Sequence, residues 1–337
     1  MQKRRILIIV LAVSILVVWR LLHRPNEAPL QHLTGRTMGP IKYSIKYIDK
    51  TNYQEEVDQL LNEFNESLST YIPYSEVSEL NQQYHVTFRS GYMYPVLERS
   101  LTAYTNSDGA FDPSVGPLVN AWGFGKNKEQ RIDSTKIDSL LEYVGFHRVQ
   151  FDQTTARIPQ GYYLDFSASA KGYAVDLVAQ FLIDHGVTDY MVEIGGEVSC
   201  LGKNKDNKVW KIGINEPSIS ADEQALFATT FLKDMAMATS GNYRNYHLEN
   251  GKLVAHTINP KTGYSEVKQL LSASVFAPNC TLADAYATAC MVKGVQGSID
   301  MIEKLDEVEC FLIYTDDQGL FTTYASPGIA KQIEVLD

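Results

Sequence analysis

Asp284 and Thr288 stand four residues apart in the run Leu282-Ala283-Asp284-Ala285-Tyr286-Ala287-Thr288-Ala289. On a helix, positions i and i+4 share a face, so a carboxylate and a hydroxyl could point at one cation. Both supply the hard oxygens that magnesium prefers. The interleaved alanines would let a backbone or a ligand approach closely. An exposed acid and a packed threonine on an ordinary helix would fit the same residues. Upstream, Leu164-Asp165-Phe166-Ser167-Ala168-Ser169-Ala170-Lys171-Gly172-Tyr173 has the pattern of a strand, a small-residue turn and a helix start. Free N–H groups and the positive end of the helix dipole favour an anion there, and Lys171 adds a point charge. A tight turn with a solvent-facing lysine is the simpler alternative.

Three further segments carry possible chemistry. Ser107 to Gly125, rich in Gly and Pro, includes Gly109-Ala110-Phe111-Asp112-Pro113 and ends in Trp122-Gly123-Phe124-Gly125. Its apolar and aromatic content predicts an ordered loop that could present backbone groups and an aromatic wall to a planar ligand, or a structural Ω-loop. His256, in His256-Thr257-Ile258-Asn259-Pro260-Lys261-Thr262-Gly263, lies near a turn and could serve as a base or a phosphate partner, or simply as a packed or surface histidine. Glu193-Ile194-Gly195-Gly196 reads as a strand ending in paired glycines, where a backbone or ligand comes close. The chain has no GxSxG elbow, no HExxH, no P-loop and no dinucleotide-type glycine spacing, which sets those enzyme classes aside.

The elements that must position these residues can be read from periodicity. Strand-like runs fall at 41–48, 162–166, 190–195, 209–214, 226–232, 235–239, 253–258 and 270–277. Thr51 to Gln54 predicts a capping box for a helix with a buried face of Val57, Leu60, Leu61, Phe64 and Leu68. Further helices are predicted over 93–106, from about 174 to a stop at Gly186, over 282–293 before Gly294, and over 298–305. The stretches 308–314 and 319–324 flank Asp316-Asp317-Gln318-Gly319 as a hairpin. Strands and helices mix without strict alternation, which predicts an α+β fold of mixed sheets with packed helices.

With 337 residues, 45% apolar and 21% charged, the chain can bury a large core and is neither disordered nor a multi-span membrane protein. Its formal charge is −10, and residues 1–24 carry five basic side chains and no acid, leaving −15 on the remainder. A body so acidic repels a nucleic-acid backbone, and a polyanionic ligand would need a metal ion or backbone dipoles to be held. Lys3-Arg4-Arg5 precedes the apolar run Ile6–Leu22, broken by Ser14 and Arg20, with no small-x-small cleavage site after it. This predicts an uncleaved signal anchor over 1–24 at the lower length limit of a membrane span, the amino terminus in the cytoplasm and the body outside. Residues 25–34 read as a tether and 35–337 as the body. Cys200, Cys280, Cys290 and Cys310 form no CxxC pair, so a zinc site is not expected, and Cys290 and Cys310 lie in apolar runs as buried thiols would.

Taken in order, these segments resemble the ApbE family, the FAD:protein FMN transferases. The blocks are Gly35-Arg-Thr-Met38-Gly39, Ser69-Thr-Tyr71 through Glu76 with Asn81, Gly109-Ala-Phe-Asp112 through Leu118, Leu164-Asp165 through Asp176, Glu193 through Gly196, Ala238 through Tyr246, His256 through Gly263, and Ala283 through Thr288. One block would be weak; eight in family order are highly specific.

The resemblance implies a body related to the T-fold and an enzyme that takes FAD, binds Mg2+ and moves FMN onto a Thr or Ser hydroxyl of another protein, releasing AMP. It implies acceptors among flavin-carrying subunits of membrane redox complexes, of the sodium-pumping NADH:quinone reductase or Rnf type. It assigns the metal to Asp284, Thr288 and the Ala168 carbonyl, and FAD contacts to Met38, Tyr71, Ala110, Phe111, Asp112, Asp165, Lys171 and Ile258. His256 matches the histidine that assists proton transfer. The chain departs from the family pattern at Pro40, at Ser167-Ala168 where Gly-Gly is common, and at Asn259 where aspartate is usual. An FAD pyrophosphatase and a flavin-binding protein without chemistry are the alternatives.

Overall fold

The computed structural model describes residues 28–125, 133–217, 225–241, 246–249, 252–265 and 269–336. Its centre is an eight-stranded sheet: β1 (Leu30–Thr37), β2 (Ile41–Ile48), β3 (Tyr190–Ile194), β4 (Glu197–Leu201), β5 (Met235–Gly241), β6 (Leu270–Ala277), β7 (Glu309–Thr315) and β8 (Phe321–Ala325). The strands lie side by side in chain order and every neighbouring pair is antiparallel. Among the described residues, every other helix and strand is inserted between consecutive strands or follows β8.

Seven helices among the described residues are labelled α1 (Gln54–Leu68), α2 (Glu76–Gln83), α3 (Met93–Asn106), α4 (Gly116–Ala121), α5 (Ser134–Leu141), α6 (Ala170–Asp184) and α7 (Cys280–Ile302). The two-residue period of the strands divides the core. Tyr43, Ile45, Tyr47, Tyr190, Val192, Ile194, Ala236 and Ala238 join the cluster packed with α1, α3, α6 and α7. Val198, Cys200, Met237 and Phe276 join a second cluster with Trp210, Ile212, Ile214, Ala228 and Leu232. That second layer is a small sheet of Trp210–Asn215, Leu226–Leu232 and Ile333–Val335. The main sheet is thus covered on both faces, and β6 is buried along nearly its whole length.

α7 is apolar almost all round because it lies inside the molecule, between the sheet and α6. Ala283, Ala285, Ala287 and Ala289 are all buried. The helical pattern expected to stop before Gly294 does break there, at φ 75°, and the helix resumes to Ile302. Its start is fixed by two side chains. Asn279 accepts the Leu282 N–H at 3.0 Å, and Asp176 of α6 accepts those of Cys280 at 2.7 Å and Thr281 at 3.0 Å. Arg99 of α3 reaches the same Asp176 at 3.1 Å, tying three helices together.

Several local expectations change. The chain enters the sheet at Leu30, within the stretch that composition assigns to a tether, because β1 is an edge strand with only Leu33 and Thr37 fully buried and little apolar alternation to betray it. Residues 162–166 are not a strand: Asn81 takes both the N–H and the carbonyl of Leu164, and Pro113 accepts the Asp165 N–H, so the extended backbone is satisfied without a neighbour. The N-cap of α1 is Tyr53, without a side-chain cap; Asn52 accepts the Gln54 N–H instead of a capping box forming. The strand expected over 253–258 ends at Ala255. The expected signal anchor lies outside the described residues, and among the described residues no helix is long and apolar enough to cross a membrane. All four cysteines are free and buried.

Asp176→Ala leaves two buried helix-start amides and Arg99 without their acceptor. We expect a loss of roughly 1–3 kcal/mol, measured by urea unfolding; an unchanged midpoint would show that Asn279 alone holds the start of α7.

Candidate active site

The site begins where the first turns of α6 and α7 touch. Gly172 has no room for a side chain: an added Cβ would collide with the Cys280 carbonyl and come within 2.9 Å of Asp284 Cβ. The closeness lets the Gly172 N–H donate to Asp284 Oδ2 at 3.0 Å. As the third residue of α6, Gly172 has an amide with no acceptor in its own helix, and Asp284 supplies one. Here, among the described residues, no donor takes the Ala168 carbonyl. Asp284 is itself 2% exposed. Thr288, one turn further along α7, faces the same cavity and meets Ser240 of β5 at 3.4 Å.

Lys171 lies between two carboxylates. Its Nζ bonds Glu197 Oε1 and stands 3.9 Å from Asp284 Oδ1. Burial alone would lower the Lys171 pKa, but Asp284 and Glu197 outweigh it and raise it. Burial raises the Asp284 carboxyl, with Lys171 and the Gly172 amide pulling the other way. Burial likewise pushes Glu197 up to about 7 against the pull of Lys171.

Two loops wall the site. The 107–125 segment is ordered, as its aromatic content predicts: Asp112 caps a short 3-10 turn at Pro113–Val115 and accepts from Ser114 and Phe146, and α4 follows. The 256–263 loop is clamped against it. Ile258 packs with Leu118 of α4 and Ile137 of α5, and Trp122 Nε1 donates to the Gly263 carbonyl at 2.8 Å. The Phe124 ring stands edge-on to His256, centroids 6.4 Å apart. Asn259 accepts the Lys261 N–H and shapes the turn.

Between these walls lies a cavity of 340 Å3 lined by Tyr71, Ala110, Phe111, Asp112, Asp165, Ala168, Lys171, His256, Ile258, Asp284 and Thr288. Every site residue expected from the sequence is there except Met38. Met38 lines an adjoining, more apolar cavity of 760 Å3 that shares Tyr71, Asp165, Lys171 and His256 with the first. Two residues, Ser240 and Glu197, escape sequence reasoning. Ser240 follows Ala236 and Ala238 at a spacing of two, so the strand period would have placed it on the helix side. Glu197 is a single acid at the head of a strand, and nothing nearby in sequence announces its partner.

A divalent cation suits this donor set. Asp284 supplies a carboxylate, Thr288 and Ser240 hydroxyls, and Ala168, just ahead of the N-cap of α6, a carbonyl oxygen. With all three groups charged, two carboxylates face one ammonium, so the pocket has a net negative charge to offset. Among the described residues no three His, Cys, Asp or Glu side chains gather where they could hold a metal ion, so a cation here would lean on hydroxyl and carbonyl oxygens.

A family model described as the ApbE family matches residues 38–312. The chain belongs to the ApbE family. It is 36% identical over 327 residues to the FAD:protein FMN transferase of Haemophilus influenzae, covering 92% of this chain and 93% of that one. The enzyme of the same name from Vibrio cholerae is 37% identical over 314 residues, with 88% and 90% covered. Among solved structures, the flavin transferase ApbE from Vibrio cholerae superposes with a TM-score of 0.77 at 34% identity, covering 89% of this chain and 98% of that one. The Pseudomonas stutzeri flavinyl transferase ApbE, apo form, gives 0.80 at 28% identity, covering 91% and 98%. The mixed α+β body is therefore the ApbE fold.

Because α6 and α7 meet at Gly172, Gly172→Ala must push the helices apart. The expected cost is roughly 1–3 kcal/mol by thermal or urea unfolding, and the displaced Asp284 should weaken divalent-cation binding. Wild-type stability and cation binding in this variant would show that the contact is slack.

Proposed function

We propose that this chain transfers the FMN half of FAD to a threonine or serine hydroxyl of another protein, releasing AMP, with Mg2+ as cofactor. The observation that carries the reading is the meeting of sequence-distant residues, from Tyr71 to Thr288, around one cavity beside a larger apolar one. Such a pair could hold a ring system in one part and a diphosphate in the other.

Asp284, Thr288 and the Ala168 carbonyl would hold the magnesium ion, which when bound supplies positive charge against the phosphoryl oxygens as the anhydride bond breaks. Lys171, at the first turn of α6, binds a remaining phosphate oxygen, helped by the helix start. Phe111 and the Ala110–Asp112 backbone form one wall for the flavin, and Tyr71, 67% exposed, stands at the rim. The acceptor hydroxyl attacks the FMN phosphorus and a ring nitrogen of His256 takes its proton. The P–O bond to AMP breaks in the same exchange. Phe124 beside His256 limits the ring's orientations and its access to water.

The basic flank and apolar run of residues 1–24 support an anchor that places the body outside the cytoplasmic membrane, where flavin-accepting subunits of membrane redox complexes would be its partners. An exchange with water instead of a protein hydroxyl would give FMN and AMP from the same site.

Incubation with FAD, Mg2+ and a candidate acceptor domain, followed by mass spectrometry, separates these outcomes. FMN mass gained by the acceptor is the expected result; free FMN would mean hydrolysis and intact FAD mere binding. Asp284→Ala should abolish transfer, and full activity in Mg2+ buffer would reject the metal assignment. His256→Ala should flatten the pH–rate profile, whereas an unaltered profile would remove the base role.

A further inference from the structure

Glu197 is the most deeply buried charged group near the site, 1% exposed, and neither its place in the sequence nor the proposed reaction gives it a task. It follows the two-residue turn Gly195–Gly196, whose φ values of 67° and 104° suit glycine, and opens β4. Val198 and Cys200 face the small sheet, so Glu197 is directed to the helix side by the strand period alone. Oε1 bonds Lys171, while Oε2 is buried without a partner among the described residues. A side chain kept for stability would have both oxygens satisfied; an orphaned one calls for another explanation.

The Lys171 stem runs to its bonded oxygen. A Cβ on Gly195 would lie 3.2 Å from Lys171 Cδ and 2.9 Å from Ile41 Cγ2, so the bare turn makes the groove through which the stem passes towards Glu197. The ammonium has two carboxylates within reach. It bonds one and stops 3.9 Å short of the other.

We propose that Glu197 is a positioning residue that holds the Lys171 ammonium off Asp284 and so keeps that carboxylate open to a divalent cation. Without the Glu197 charge, the half-buried ammonium has one of these two carboxylates left and closes on it. It would then occupy the lone pairs that a cation needs and add a repelling charge beside them. The inference rests on the proposed reaction through the cation site, but not through any catalytic step.

The test is a double-mutant cycle read as Mn2+ binding to the FAD-free full chain by electron paramagnetic resonance, at about pH 8 so that Glu197 is ionised. Glu197→Gln should weaken Mn2+ binding about tenfold, and the same change in a Lys171→Met background should have no effect, because the competitor is gone. If Glu197→Gln does not fold, Glu197→Asp, too short to reach Lys171, should show the same pattern. Wild-type affinity in Glu197→Gln, or an equal loss in both backgrounds, overturns the proposal, the second outcome revealing a direct charge effect instead. Absence of Mn2+ uptake by the wild-type chain would remove the cation site and this inference with it. The transferase reading stands or falls separately, on FMN mass gained by the acceptor.

Discussion

The hydrogen bond from the Gly172 amide to Asp284 is the constraint on which the site depends. It requires two helix starts to come closer than any side chain at position 172 would permit. It orients a buried carboxylate and gives a first-turn amide of α6, which has no acceptor in its own helix, a partner. Asp176 and Asn279 keep it in place by fixing the first turn of α7, and the alanines of that helix let it lie close to the sheet.

The electrostatics follow from this geometry. Burying Asp284 and Glu197 near one lysine is costly unless something balances them, since Lys171 neutralises one carboxylate at a time. Burial raises both acids, and Lys171 pulls each of them back. In a chain of net charge −10, a diphosphate could not be held by long-range attraction. On the proposed reading, local positive charge would be concentrated at this point by the lysine, the helix start and a cation.

Much of this was legible in the sequence, for identifiable reasons. Asp284 and Thr288 could be paired because helical spacing is a local property. The aromatic loop from Ser107 to Gly125 was recognisable because flexible linkers lack Phe and Trp. The order of the blocks carried more than any one of them. What stayed hidden depended on contacts distant in sequence. β1 has few apolar residues to mark it as a strand, and residues 162–166 resembled a strand although Asn81, some eighty positions earlier, serves as their partner. Glu197 could not be linked to Lys171, because which face of β4 met which turn of α6 was decided by the packing of the whole sheet. The division of that sheet between a helical layer and a second small sheet was equally invisible, as both layers use similar apolar runs.

Since the eight strands are laid down in the order of the chain, each wall of the site is a detour between two neighbouring strands. The aromatic loop belongs to the detour after β2, the histidine segment to the one after β5, and the aspartate helix to the one after β6. A detour can be lengthened or exchanged without shifting the register of the pairs on either side. The walls of the cavity can therefore vary in length while the oxygens gathered where α6 meets α7 stay in place.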